Sequence, residues 1–142
     1  MKTTLIAAAV VLASLVGVAG LGNAEGIDIG KREYTENCAT CHGVSGKGDG
    51  PLAGIINQRI SDLTVLTKEN NGAFPFARVY EVIDGTRETK GHGTRDMPIW
   101  GSVYNERAPQ WLGFDYTRDD AQAFVRGRIL ALIGYIQTLQ AK

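Results

Sequence analysis

The chain opens on an unbroken apolar run and closes on a striped one. From Leu5 to Leu21 every residue is apolar or small, and Lys2 is the only charge before Glu25. Towards the other end Val125, Ile129, Leu132, Ile133, Ile136 and Leu139 recur every three or four positions, the mark of a helix with one buried face. Thr117 and Asp120, three apart, form a capping-box variant, and Asp119 adds negative charge where a helix N-terminus favours it. Between these ends the pattern predicts shorter elements. One helix covers about 28–40, with Gly30 and Tyr34 four apart on one face. Another covers 63–69, started by Ser61-Asp62 and stopped by Asn71-Gly72. A third covers 75–84, with Pro75 in its first turn, Gly85 after its end, and Phe76, Val79, Tyr80 and Ile83 on one face. Residues 102–116, with Pro109 and Trp111, read as a loop packed over the interior.

The N-terminal run changes how much of the chain counts as fold. It ends in Gly22-Asn23-Ala24, a small-x-small pattern that marks a cleaved export signal. Residues 1–24 are therefore expected to be a signal peptide, or an uncleaved anchor if the run is retained, and residues 25–142 the domain. Removing the leader takes Lys2 with it, and the formal charge falls from 0 to −1. That balance excludes a generally basic nucleic-acid binder. What remains is small, and the chain carries 18 glycines. Such a domain has a limited core of its own, and a large apolar guest would complete it.

The candidate chemistry sits in NCATCHG, residues 37–43, which holds both cysteines and one of two histidines. Export permits a disulfide, but a bridge from Cys38 to Cys41 closes a tiny loop and constrains little of the unfolded chain. Zinc would need Cys38, Cys41 and His92 plus a further ligand, and there is no second CxxC. A dithiol redox motif usually follows a strand, and no strand pattern precedes Asn37. The reading that uses every residue is CxxCH as the attachment sequence of haem c. Each thiol adds its S–H across one porphyrin vinyl group, and His42 then meets the iron. The loop Gly46-Lys-Gly-Asp-Gly-Pro resembles a phosphate cradle only loosely, because it lacks the Gly-Lys-Ser/Thr ending.

An iron held by one imidazole has a second face, which thioether or imidazole can close. Met97, in Asp96-Met97-Pro98-Ile99-Trp100-Gly101, and His92, between two glycines, are the available donors; Met97 could instead be a gap-filling core residue. Taken with CxxCH, Gly50-Pro51-Leu52, Met97-Pro98 and the C-terminal helix, the chain resembles a class I monohaem cytochrome c of the bacterial periplasm. The resemblance spans nearly all of residues 25–142. It implies an all-α fold in which crossed N- and C-terminal helices and one or two shorter helices surround one covalent haem c. It implies Gly30, Tyr34 and Tyr135 at the helix crossing, Met97 as the ligand opposite His42, and the Pro51 carbonyl as acceptor for the His42 imidazole. The chain departs from the family's minimal pattern at 102–116, and it lacks a second proline at 57–61.

From that resemblance the expected function is a periplasmic carrier of single electrons, not an enzyme, acting as a monomer between redox proteins such as an oxidase, a reductase or a dehydrogenase. Arg87, Lys90 and Arg95 are candidate docking bases, with Asp84, Glu88 and Asp96 interleaved. Membrane association follows only if the leader is retained. The competing reading is a haem c protein with a displaceable sixth ligand, acting as a catalytic or gas-sensing subunit.

Overall fold

The computed structural model describes residues 22–56, 59–87 and 100–142, with 22–27 as backbone only. These residues contain helices and turns and no strand. The expected leader, apart from its last residues, lies outside them, as do His92, Met97, Lys90 and Arg95. Among the described residues no helix is long and apolar enough to cross a membrane.

Among the described residues six α-helices follow in order: α1 Gly22–Asn37, α2 Ala39–His42, α3 Leu66–Glu69, α4 Phe76–Asp84, α5 Trp100–Leu112 and α6 Arg118–Thr138. A 3-10 turn, Leu63–Val65, leads into α3. The frame is the crossing of α1 and α6, and a glycine sets its closeness. A Cβ placed on Gly30 would lie 2.6 Å from the Ala131 carbonyl carbon and 3.0 Å from Tyr135 Cβ. Only a residue without a side chain lets the two backbones approach this far. One turn along α1, Tyr34 packs on Tyr135 with ring centroids 5.3 Å apart and planes tilted by 51°. The Gly30, Tyr34 and Tyr135 crossing thus forms as the resemblance implied.

Helix α6 follows its stripe. Ala121, Ile129, Leu132, Ile133 and Ile136 are buried, and Val125 and Leu139 pack against them. Its start is the anticipated capping box: the Asp120 N–H donates to Thr117 Oγ1 (3.2 Å), and the Thr117 N–H donates to Asp120 Oδ2 (2.8 Å). In α4, Ile83 is buried, Val79 and Tyr80 are half-buried, and Phe76 faces solvent.

The loop expected at 102–116 is mostly a helix. In α5, Trp100, Tyr104 and Ala108 are buried at helical spacing, with Val103 packed beside them. Pro109 lies inside it near its C-terminal end, where the missing N–H costs one hydrogen bond late in the element. Burial of the Trp100–Tyr104–Ala108 face outweighs that loss. Trp100 and Tyr104 rings lie 6.0 Å apart. This helix adds a third wall beside the crossed pair, so the architecture is richer than one or two short helices.

The end of the chain is tied down by side-chain and backbone bonds that periodicity cannot show. Gln140 donates from Nε2 to the Leu63 carbonyl (2.7 Å) and accepts at Oε1 from the Thr67 N–H (2.9 Å). The Ala141 N–H donates to the Thr64 carbonyl (2.8 Å). Residues 63–67 are thereby fixed to the end of α6.

Candidate functional site

The CxxCH turn grows directly out of α1. The Cys38 N–H still donates to the Tyr34 carbonyl (2.8 Å), and the His42 N–H donates to the Cys38 carbonyl (2.9 Å). The path stays helical through a slight break at Cys38, which puts Cys38 and His42 one turn apart. Tyr34 closes the far end, its hydroxyl donating to the Gly43 carbonyl at 2.7 Å. Burial, first of all, pushes the Tyr34 phenol well above its usual value, so it is a neutral donor.

The following loop folds back on this turn. Gly48, Gly50 and Leu52 N–H groups donate to the carbonyls of His42 (2.8 Å), Cys41 (3.1 Å) and Thr40 (3.0 Å). At Gly50 a Cβ would sit 2.5 Å from the Thr40 oxygen and 2.6 Å from the Ala39 oxygen, so no other residue fits without moving the turn.

His42 is buried, and its Nδ1 lies 3.0 Å from the Ser61 carbonyl oxygen. A carbonyl can only accept, so the tautomer with the proton on Nδ1 is selected. The Nε2 lone pair is then the end offered to a metal. The Pro51 carbonyl was the expected acceptor, and the structure gives that place to Ser61. The reason is the tight return of residues 48–52 over the turn's carbonyls, which leaves Pro51 exposed. The missing proline at 57–61 was the place where the loop path was in doubt, and the actual acceptor lies at its end.

Cys38 and His42 line a cavity of about 540 Å³. Its walls are Leu63, Val65 and Leu66 on one side, Val79, Val82 and Ile83 of α4 on another, with Trp100 of α5 and Leu132 and Ile136 of α6 behind. Arg59, Asp62, Glu69 and Arg78 are its charged lining residues. That volume is in the range of cofactor pockets. Cys41 is half-buried and does not line the cavity.

The chemistry of the thiols narrows the choices. The two cysteines are unbridged. Burial, then the Glu33 charge, then Cys41, push the Cys38 thiol up to about 12. Dithiol redox enzymes work by lowering a cysteine pKa, so this environment is the reverse of theirs. Two thiols and a pinned imidazole, on or next to the wall of a large apolar cavity, fit a flat, mostly apolar group with a metal at its centre.

The fold and this site define an all-α domain built to hold a covalently attached haem. The chain belongs to the cytochrome c family, whose sequence profile, described as Cytochrome c, matches residues 27–125. No curated protein and no solved structure matches it. Membership brings covalent haem c, with Cys38 and Cys41 at the attachment spacing, and a role in electron transfer.

Sequence reasoning missed Ser61, Gln140 and the α5 face. Ser61 acts through its carbonyl and leaves no side-chain signal. Trp100, Tyr104, Ala108 and Trp111 do recur at helical spacing, and Pro109 masked that signal.

Proposed function

We propose that this protein carries single electrons in the periplasm between redox proteins, through a haem c held by His42 on one side and Met97 on the other. The observation that carries this reading is the His42 imidazole, buried against the 540 Å³ apolar cavity and fixed through Nδ1 by the Ser61 carbonyl. When bound, haem supplies an iron that changes oxidation state by one electron. The chain's own residues do the rest. Cys38 and Cys41 retain the group in an exported protein without relying on equilibrium binding. His42, with its tautomer set, keeps one orientation in both redox states. The apolar wall from Leu63 to Ile136 excludes water and disfavours the additional positive charge of Fe(III). A thioether from Met97 works in the same direction. A carrier needs a site that changes little as the electron comes and goes, and the crossing at Gly30 and the Gln140 clamp hold the walls in place.

In this reading residues 1–24 are a signal peptide and 25–142 the working domain, acting as a monomer. The partners are an oxidase, reductase or dehydrogenase that docks by charge on Arg87, Lys90 and Arg95. Arg87 is exposed and pairs with Glu81 at 2.9 Å.

The test is an optical spectrum of both redox states in the wild type and in Met97→Ala. The expected result is a far-red sulfur-to-Fe(III) band that disappears in the variant. Persistence of that band in Met97→Ala refutes the ligand assignment. Rapid, tight carbon monoxide binding by the wild-type ferrous protein refutes the carrier reading.

A further inference from the structure

Behind the haem cavity lies a buried ion pair that the carrier reading does not use. Glu33 of α1 and Arg128 of α6 meet at 2.5 Å, and their side chains are only 8% and 11% exposed. The Glu33 carboxylate also accepts from Asn37 Nδ2 (3.0 Å). The Arg128 guanidinium stacks over Trp111, 4.5 Å from the ring centre, and lies 5.1 Å from that of Phe124. Tyr104 stands beside the pair, its hydroxyl buried and outside hydrogen-bond geometry with any described residue. Glu33, Arg128, Trp111, Phe124 and Tyr104, with Arg32, Glu36 and Arg107, line a second cavity of about 190 Å³.

Stability does not explain such a pair. Desolvating two charges costs about as much as their attraction returns, and apolar residues of similar volume often serve as well or better. Position is more informative. The partition between the two cavities is made of the Trp100–Tyr104 stack on α5 and the Glu33–Cys38 stretch of α1. Trp100 and Cys38 face the haem cavity, while Glu33 and Tyr104 face the smaller one. The pair therefore lies on the side of these residues away from the haem cavity. Its negative end is the one on α1, the helix that carries Cys38. Glu33 is tied to Asn37, the residue before Cys38, whereas the Arg128 guanidinium is drawn over Trp111 and Phe124, which line the smaller cavity and not the larger one.

We propose that the buried Glu33–Arg128 pair sets the haem's reduction potential, Glu33 being a positioning residue for charge whose carboxylate favours Fe(III) and holds the potential down. A fixed charge in a poorly polarisable interior acts on a neighbouring redox centre far more than a solvated one. Glu33 thus opposes the apolar wall and the thioether, and the working potential is set by their difference.

This inference rests on the haem reading. The experiment is a spectroelectrochemical titration of the purified holoprotein and its variants. Glu33→Gln keeps the shape and removes the charge. It should shift the Fe(III)/Fe(II) equilibrium about tenfold towards Fe(II), a rise of about 59 mV for a one-electron couple. Glu33→Asp keeps the charge and should stay within about threefold of the wild type. The doubly neutral E33Q/R128M leaves no lone buried charge and should fall between the wild type and Glu33→Gln. The proposal is overturned if Glu33→Gln stays within threefold of a red wild type, or if Glu33→Asp moves as far as Glu33→Gln. Where Glu33→Gln does not accumulate, a double variant at or below the wild-type potential overturns it. Failure of both variants to accumulate as red protein overturns it too, since the pair is then required for folding. A colourless wild type, lacking porphyrin mass, brings down the haem reading itself, and so the two failures are distinct.

Discussion

Gly30→Ala introduces a single methyl group into α1, and the geometry says it cannot be absorbed. The new Cβ would meet the Ala131 backbone, with the carbonyl carbon at 2.6 Å, as well as Tyr135 Cβ at 3.0 Å. Both belong to the C-terminal half of α6, where the Ala131 backbone is held by the helix's own bonds and cannot yield as a side-chain tip does. Forcing a methyl into a packed contact costs about 1–3 kcal/mol. Replacing glycine by alanine inside a helix returns about 0.5–1 kcal/mol. The net expectation is a loss of about 1–2 kcal/mol. The same substitution at Gly127, in α6, meets nothing within 4 Å and keeps only the favourable part. The two variants should therefore move in opposite directions. The assay is urea unfolding of the ferric holoprotein followed by far-ultraviolet circular dichroism. With a slope of about 1–3 kcal/mol per molar urea, the Gly30→Ala midpoint should fall by about 1 M, and that of Gly127→Ala should rise by less. If Gly30→Ala unfolds at or above the wild-type midpoint, the close crossing of α1 and α6 is not what holds the frame.

Other outcomes follow from single features. Cys41→Ser should leave one thioether, seen as porphyrin mass retained through Cys38 alone after acid–acetone extraction, in a host with the attachment machinery. Loss of no covalent mass in Cys38→Ser/Cys41→Ser would refute the attachment sites. The Asp120 carboxylate is held below its ordinary value by hydrogen bonds from the Thr117 side chain and then its backbone N–H. Its contribution is therefore complete above the ordinary carboxylate pKa and is lost as pH falls through the lower folded value. Acid unfolding of Asp120→Asn should show less dependence on pH in that window than the wild type. Reversing the charges of Arg87, Lys90 and Arg95 together should slow reduction by an acidic redox partner at low salt, and the difference should shrink as salt screens it.

How much of this was legible beforehand depended on whether a residue acts through its side chain or its backbone. The α6 stripe, its Thr117–Asp120 cap and the Asp62 start of the 63–69 segment are written in side-chain types, and all were readable. In that last case the Asp62 carboxylate accepts from the Thr64 N–H at 2.8 Å. Cys38, Cys41 and His42 were readable because their spacing is itself the chemistry. The acceptor for His42 was not, since any residue has a carbonyl and only the loop's path selects which one arrives. Helix α5 was hidden by a proline whose penalty is local and whose neighbours' burial is tertiary. The Glu33–Arg128 pair spans 95 positions, a separation that no local pattern reports.

The clasp of Gln140 and Ala141 on residues 63–67 has a consequence for maturation. One flank of the pocket is sealed by residues 140 and 141, whereas the attachment motif lies far upstream at residues 38–42. A polypeptide emerging from its amino end therefore presents the two sulfurs and the imidazole long before the enclosure can shut. Before residues 140 and 141 close on 63–67, the cavity wall would be incomplete, and Cys38, Cys41 and His42 would be open to a group as large as a porphyrin.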